Sequence, residues 1–357
     1  MIDKTTNVPL YKQIHDELKE KILSGEYGNG EFLPSERELS STYKVERATT
    51  RKALDLLAKE RLLQKIPGAG TKVSRGAPQE AANVDCNTIA FILPGNAVDK
   101  ITQPFIANLF YNLEQECKRK NYSIFYANLH GNDDLPDIIL RKNVKGIIWV
   151  SNVGNEFVYK AKELGIPSVF VSHYLRGFTS VLVDNADGSC EAVGFLIRCG
   201  HKNIAFIGGV EGYLNNTERF EGLKRAMRDA GLDMKKQYTR SGDWTFEGGY
   251  STMKELLNWP EKPTAVFAAN DMMALGAVKA AADAGFSVPE DISVVGFDNI
   301  EQCGHSSPSL TTVGADVGLI AKQTLKSLLE LIADPGAPAV KIVIPVELFT
   351  RGSVKEI

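Results

Sequence analysis

Residues 34–51 read Pro34-Ser35-Glu36-Arg37-Glu38-Leu39-Ser40-Ser41-Thr42-Tyr43-Lys44-Val45-Glu46-Arg47-Ala48-Thr49-Thr50-Arg51. Ser35 and Glu38 have the S-x-x-E spacing of a capping box, which starts a helix anchored by Leu39. Tyr43-Lys44-Val45 supplies a tight turn, and a second helix begins near Glu46. Arg47, Thr49 and Arg51 crowd the start of that second helix. In a helix-turn-helix these are the positions that meet base edges. The spacing therefore predicts a segment that reads DNA rather than a solvated hairpin, and the flanks decide between the two.

Upstream, Leu10, Ile14, Leu18 and Ile22 recur every fourth residue, an apolar helical stripe that Gly25 ends. Downstream, Ala53, Leu54 and Leu57 carry the second motif helix into a core. Leu62–Ile66 and Thr71–Val73 then flank the turn Pro67-Gly68-Ala69-Gly70, the pattern of a β-hairpin. Three helices and a hairpin make a winged helix-turn-helix over residues 1–73.

The segment from about Pro9 to Val73 resembles the GntR family of bacterial transcription factors. The likeness rests on Pro9-Leu10-Tyr11-Lys12-Gln13-Ile14, Leu33-Pro34-Ser35-Glu36-Arg37-Glu38-Leu39, Val45–Leu54 and Gly68-Ala69-Gly70-Thr71. The resemblance implies DNA contacts from Arg37, Arg47, Thr49 and Arg51, with the wing, Lys65, Gly68 and Gly70, near the minor groove or backbone. One position departs from the family, which usually has Ser or Thr where this chain has Glu46. A carboxylate also caps a helix, but it repels phosphate or accepts from a cytosine amino group. Either the operator differs or Glu46 turns away from it.

The chain is 357 residues long with a formal charge of −3, enough for two or three domains. Residues 1–75 carry 14 Lys and Arg against 11 Asp and Glu, so the remainder is net acidic. A mildly basic head on an acidic body suits contact with phosphate at one end only. Cys86, Cys117, Cys190, Cys199 and Cys303 are scattered and odd in number. They are expected as reduced core residues, which points to the cytoplasm. Neither an apolar leader nor a long apolar run is present, so export and membrane spanning are not expected. No metal motif and no cofactor motif is found. Residues 74–87 lack apolar periodicity and read as a linker spanning on the order of 20 Å.

From Thr88 on, β-branched runs alternate with helical patterns. Expected strands are Ile89–Leu93, Ser123–Tyr126, Gly146–Val150, Ser168–Val171, Val181–Val183, Ile204–Ile207, Ala265–Ala268, Ile292–Val295 and Ile342–Leu348. Expected helices include Ile106–Arg119, Glu191–Cys199, Glu218–Ala230 and Met272–Ala284. The alternation predicts an α/β fold with parallel sheets, and about 270 residues of it call for two lobes. Ligands bind at the carboxyl ends of such strands. Phe105, His173, Arg219, Trp244, Asn270 and Asp298 stand there.

Residues 88–353 resemble the effector domain of the LacI/GalR family, which is akin to periplasmic sugar-binding proteins. Gly200–Gly209, Arg219–Gly222, Ala269–Gly276, Asp291–Asp298, Pro308–Val313 and Thr350–Ser353 carry the likeness. It implies that Arg219, Asn270 and Asp298 hydrogen-bond a sugar and that Trp244 stacks on it. The chemistry agrees without the family. Arg and Asp each serve two vicinal hydroxyls, Asn both donates and accepts, and an indole covers a C–H face. Arg219 and Asp298 alone would equally make a structural ion pair, and Trp244 a core residue. Phe105 also fits as core, and His173 as a structural histidine.

The combined reading is a sugar-responsive repressor without catalytic residues, similar in arrangement to the arabinose-type repressors of Gram-positive bacteria. Its expected partners are operator DNA, a monosaccharide and a second copy of the chain. Two other classes compete. A doubly wound dehydrogenase or kinase needs G-x-G-x-x-G or G-x-x-x-x-G-K-[ST], and neither occurs. A transport binding protein has no use for residues 1–75.

Overall fold

The computed structural model describes residues 9–28, 30–59, 62–66, 70–73, 87–96, 100–130, 135, 139 and 144–357. The expected linker falls almost wholly outside these residues, as do Pro67, Gly68 and Ala69 at the expected wing tip. Two compact units appear, Met1–Asp85 and Cys86–Ile357.

The first unit has helices α1 (Leu10–Ser24), α2 (Glu36–Tyr43) and α3 (Arg47–Lys59), then antiparallel strands β1 (Leu63–Ile66) and β2 (Gly70–Val73). Ile14, Leu18 and Ile22 of α1 are fully buried against Ala53, Leu54 and Leu57 of α3, so the four-residue stripe found its partner. Gly25 ends α1 at φ 87°, a left-handed conformation that glycine adopts without a Cβ penalty. The capping box of α2 is complete: Glu38 N donates to Ser35 Oγ at 3.3 Å, and Ser35 N donates to Glu38 Oε2 at 2.7 Å.

The second unit holds two six-stranded sheets. The sheet of lobe 1 runs β13-β7-β6-β5-β3-β4, built from β3 (Thr88–Pro94), β4 (Ser123–Leu129), β5 (Val144–Val150), β6 (Ser168–Val171), β7 (Thr179–Val183) and β13 (Lys341–Ile344). The sheet of lobe 2 runs β14-β12-β11-β10-β8-β9. Its strands are β8 (Ile204–Gly208), β9 (Thr239–Ser241), β10 (Ala265–Ala268), β11 (Ser293–Phe297), β12 (Thr311–Ala315) and β14 (Val346–Phe349). All pairings are parallel except β12 with β14. Long helices connect them: α4 (Pro104–Arg119), α5 (Asn155–Glu163), α6 (Asn185–Arg198), α7 (Leu214–Asp229), α8 (Phe246–Leu257), α9 (Asp271–Asp283) and α11 (Val317–Ala333), with a short α10 (Gln302–His305). Strands buried on both faces explain the near-continuous apolar runs in the sequence.

The chain crosses between the lobes three times. It leaves β7 through Asp184 into α6, which packs on lobe 2. It returns through Asp316 into α11, which packs on α4, β5, β6 and β7. Asp184 and Asp316 cap the helices they open, accepting from Asp187 N at 3.2 Å and Leu319 N at 3.1 Å. The third crossing corrects a sequence expectation. Ile342–Leu348 is not one strand, because Pro345 separates β13 in lobe 1 from β14 in lobe 2. Proline brings no N–H to a sheet ladder, so the run breaks there and each half joins a different sheet.

Cys117, Cys199 and Cys303 are buried and Cys190 is half-buried, all as free thiols. Burial pushes the Cys117 thiol up to about 12. No helix among the described residues is long and apolar enough to cross a membrane.

Helices α6 and α7 touch where Gly222 faces the Ala186 carbonyl; a Cβ there would lie 2.2 Å from that oxygen and 2.7 Å from Ser189 Cβ. Gly222→Ala is expected to destabilise the second unit by about 1–3 kcal/mol through overpacking, measured by urea denaturation. An unchanged midpoint would show that the helices part without cost.

Candidate functional site

Lobe 1 and lobe 2 enclose a cleft of about 90 Å³ at the carboxyl ends of their strands. Gln103, Phe105, Ser151 and Ser172 line it from lobe 1, and Tyr213, Asn215, Arg219, Trp244, Asn270 and Asp298 from lobe 2. Asn96 Nδ2 of lobe 1 donates to the Tyr213 hydroxyl of lobe 2 at 3.0 Å, so a direct hydrogen bond spans the cleft. The backbone marks the same place. Ser151, Ser172, Trp244, Asp298 and Asn299 all have positive φ. Such strained residues cost free energy and gather where the surroundings hold them for function.

Arg219 is 4 % exposed. Its Nε donates to Asn185 Oδ1 at 2.8 Å, its Nη1 to the Ala269 carbonyl, and its Nη2 to Asp298 Oδ1 at 3.0 Å. The Phe297 ring lies 3.7 Å from the guanidinium carbon. Asn185 in turn donates to Glu218 Oε2 at 2.9 Å. The ion pair is therefore real, and it sits in the wall of the cleft rather than away from it. Burial raises the Asp298 carboxyl above its ordinary value, and the charge of and hydrogen bond from Arg219 oppose that rise.

Trp244 stands at φ 66°. Its indole covers Gly209, where a Cβ would lie 2.1 Å from the ring. The indole Nε1–H is buried without an acceptor among the described residues, although a buried donor left unmatched costs stability. Asn270 caps α9 by accepting from Met273 N at 2.9 Å, and its Nδ2 donates to the Trp244 carbonyl at 3.0 Å. Both ends of that amide are thus engaged in holding the site, where sequence reasoning had both of them facing a ligand.

Phe105 lines the cleft while also packing on the main core. His173 does not line it. Its ring packs on Phe170 at 5.4 Å, and burial lowers its pKa. The neighbouring Ser172 takes the cleft position, because the left-handed turn at φ 61° after β6 aims that residue at lobe 2. Gln103, Ser151, Ser172, Tyr213 and Asn215 were missed in the sequence. Ser151 and Ser172 each directly follow a strand, a signal available in hindsight; Tyr213 and Asn215 bracket the start of α7 with no distinctive spacing.

In the first unit, Arg37 and Arg47 are exposed and make no ion pair among the described residues, while Thr49 is half-buried. Arg51 and Lys65, expected to face DNA, are engaged by carboxylates. Arg51 Nη2 lies 2.8 Å from Glu36 Oε2, with Nε at 3.1 Å from the same atom. Lys65 Nζ lies 2.7 Å from Asp55 Oδ1. The Arg51 hydrogen bond and charge hold Glu36 below its usual value. Gly70 opens β2 at φ 119°, and Gly68 lies outside the described residues.

Residues 10–73 match the bacterial regulatory proteins of the gntR family, and residues 193–354 match the periplasmic binding protein-like domain. The chain is 34 % identical over 300 residues to catabolite control protein A of Priestia megaterium, covering 81 % of this chain and 86 % of that protein. The chain belongs to the LacI/GntR-type transcriptional repressors. This repressor is also 36 % identical over 244 residues to the probable HTH-type transcriptional repressor ExuR of Bacillus subtilis strain 168, covering 67 % of this chain and 72 % of that one. Its second unit is similar to a LacI family regulator from Enterococcus faecium with bound ribose. The TM-score is 0.70 at 27 % identity, over 76 % of this chain and all of that structure. The relatives are repressors, so the doubly wound enzyme alternative falls.

Gly209→Ala tests how the repressor holds its indole. The added methyl must displace Trp244, so tryptophan emission is expected to shift in Gly209→Ala and not when the same change is made in a Trp244→Phe background. An identical spectrum in the presence of Trp244 would mean that Gly209 does not set the ring.

Proposed function

We propose that this repressor responds to a neutral monosaccharide that binds between the lobes and lowers its affinity for operator DNA. The observation that carries this reading is the Arg219–Asp298 pair at 3.0 Å beside the buried face of Trp244. These two are the only charged residues among the described ones lining the cleft, and they neutralise each other. A phosphate or carboxylate group would want spare donors: the one cation lining the cleft among the described residues is already paired, whereas α4 and α7 open onto the cleft without a side-chain cap. A sugar ring instead offers hydroxyls to Asp298 and Arg219 and a C–H face to an aromatic ring. Ribose in the Enterococcus faecium regulator is in keeping with this class; a pentose or a hexose serves equally.

For DNA, we assign base contacts to Arg37, Arg47 and Thr49. Arg51 and Lys65 join once phosphate or a base edge replaces Glu36 and Asp55 as their partner, with Gly68 and Gly70 at the wing. Two copies of the chain meeting two half-sites would combine two weak contacts through effective concentration. The sugar favours one arrangement of the lobes by its differential affinity, with a coupling of about 1–3 kcal/mol.

Arg47→Ala is expected to weaken operator binding by about 1–3 kcal/mol if it reads a guanine, with an unchanged melting temperature because the side chain is exposed. Unaltered gel-shift affinity would refute the assignment. Thermal-shift screening against D-ribose, L-arabinose, D-galactose, D-glucose and their phosphates tests the effector class, since a ligand stabilises by RT ln(1 + [L]/Kd). Stabilisation by phosphates alone would overturn the neutral-sugar reading. Asp298→Asn leaves the buried Arg219 charge without its counter-ion, so its melting temperature is measured first; the folded variant is expected to lose release by the sugar found while sugar-free operator binding stays near wild type. A variant that still released DNA at the wild-type sugar concentration would remove Asp298 from the site.

A further inference from the structure

Asp271 was not singled out in the sequence, yet it is the most deeply buried carboxylate near the cleft, with no exposed surface. It opens α9 directly after Asn270. Its Oδ2 accepts from Ile300 N at 2.9 Å and its Oδ1 from the Thr312 hydroxyl at 2.5 Å. These bonds tie the start of α9 to the loop after β11, where Asp298 at φ 111° and Asn299 at φ 51° stand in succession in the left-handed region. Arg351 Nη2 holds the same loop from its other side, donating to Asn299 Oδ1 at 2.7 Å. At Gly296 a Cβ would lie 2.1 Å from Asp271 Oδ1, so the backbone is bare where the carboxyl passes.

Two consecutive non-glycine residues at positive φ persist only where their surroundings over-determine them. The Ile300 amide is the first backbone donor after that pair, and Asp271 is its acceptor. We propose that Asp271 is the positioning residue of the effector site: by accepting from Ile300 N it holds the left-handed turn that sets where the Asp298 carboxylate meets a ligand. This rests on the cleft being the effector site. Burial and the nearby charge of Asp298 raise the Asp271 carboxyl above its ordinary value. What the turn takes from Asp271 is an acceptor for Ile300 N, and the amide oxygen of an asparagine can supply one.

The test uses the full-length chain. Amide hydrogen exchange is compared, without sugar, between wild type, Asp271→Asn and Asp271→Ala at residues 298–304, with the core strand 204–208 as reference. Asp271→Ala removes the acceptor of Ile300 N and that of the Thr312 hydroxyl together, so it is expected to exchange at least about tenfold faster at Ile300 and unchanged at 204–208. Asp271→Asn should keep wild-type protection. If Asp271→Ala does not fold, the apolar isostere Asp271→Leu takes its place. In parallel, calorimetry with D-ribose, L-arabinose, D-galactose and D-glucose should show at least about tenfold weaker binding in Asp271→Ala for whichever sugar wild type binds. It should be restored in Asp271→Asn. Equal protection at 298–304 in Asp271→Ala and wild type would overturn the proposal. So would protection lost equally across both segments, or failure of Asp271→Asn to rescue. If none of the sugars binds wild type, the effector reading falls while the exchange arm still decides the role of Asp271 in the turn.

Discussion

A guanidinium cannot be buried without partners for its charge and its donors, and the second unit is arranged around meeting that requirement at Arg219. One nitrogen reaches Asn185, at the first crossing between the lobes. A second reaches the Ala269 carbonyl, at the end of β10. A third reaches Asp298, in the turn after β11. One side chain thus joins the crossing, the sheet of lobe 2 and the cleft wall. Removing either Arg219 or Asp298 leaves the other charge buried and uncompensated. The same pair both stabilises lobe 2 and gives the cleft its polar surface.

Around this pair, strain and satisfaction are interleaved. Trp244 is held at positive φ, and its carbonyl accepts from Asn270. Asn270 spends its oxygen on capping α9. Asp271, the next residue, braces the turn that carries Asp298. Two consecutive residues thus fix two walls of the cleft. The Asn-Asp order matters because the two side chains leave the start of α9 in different directions. The indole N–H of Trp244 is buried without an acceptor among the described residues.

The first unit shows a different balance. Surface ion pairs contribute little to stability, about 0–1 kcal/mol, so the carboxylates Glu36 and Asp55 do little to hold the head together. What they do is occupy Arg51 and Lys65 in the head without DNA. Under the proposed DNA assignment, a phosphate or a base edge would compete with a neighbouring carboxylate rather than with water alone.

Much of this was legible in the residues because it is local. The stripe of α1 and its Gly25 stop, the capping box at Ser35 and Glu38, the hairpin strands and the alternation of strands and helices all follow from periodicity and capping. Arg219, Trp244, Asn270 and Asp298 were found at strand ends because the doubly wound fold puts ligands there, and all four line the cleft. Tertiary structure decided the rest. Ile342–Leu348 reads as one strand until two separate sheets compete for its halves on either side of Pro345. His173 and Ser172 are adjacent, and only the left-handed turn after β6 determines which of them faces lobe 2. Arg51 looks free in sequence, since Glu36 is fifteen residues away and meets it only when α2 and α3 pack. Asp271 gives no signal of its own, because its partners Ile300 and Thr312 are brought to it by the order of β10, β11 and β12 in the sheet. Sequence carries what neighbouring residues dictate to one another; which distant donor meets which acceptor is a property of the packed fold.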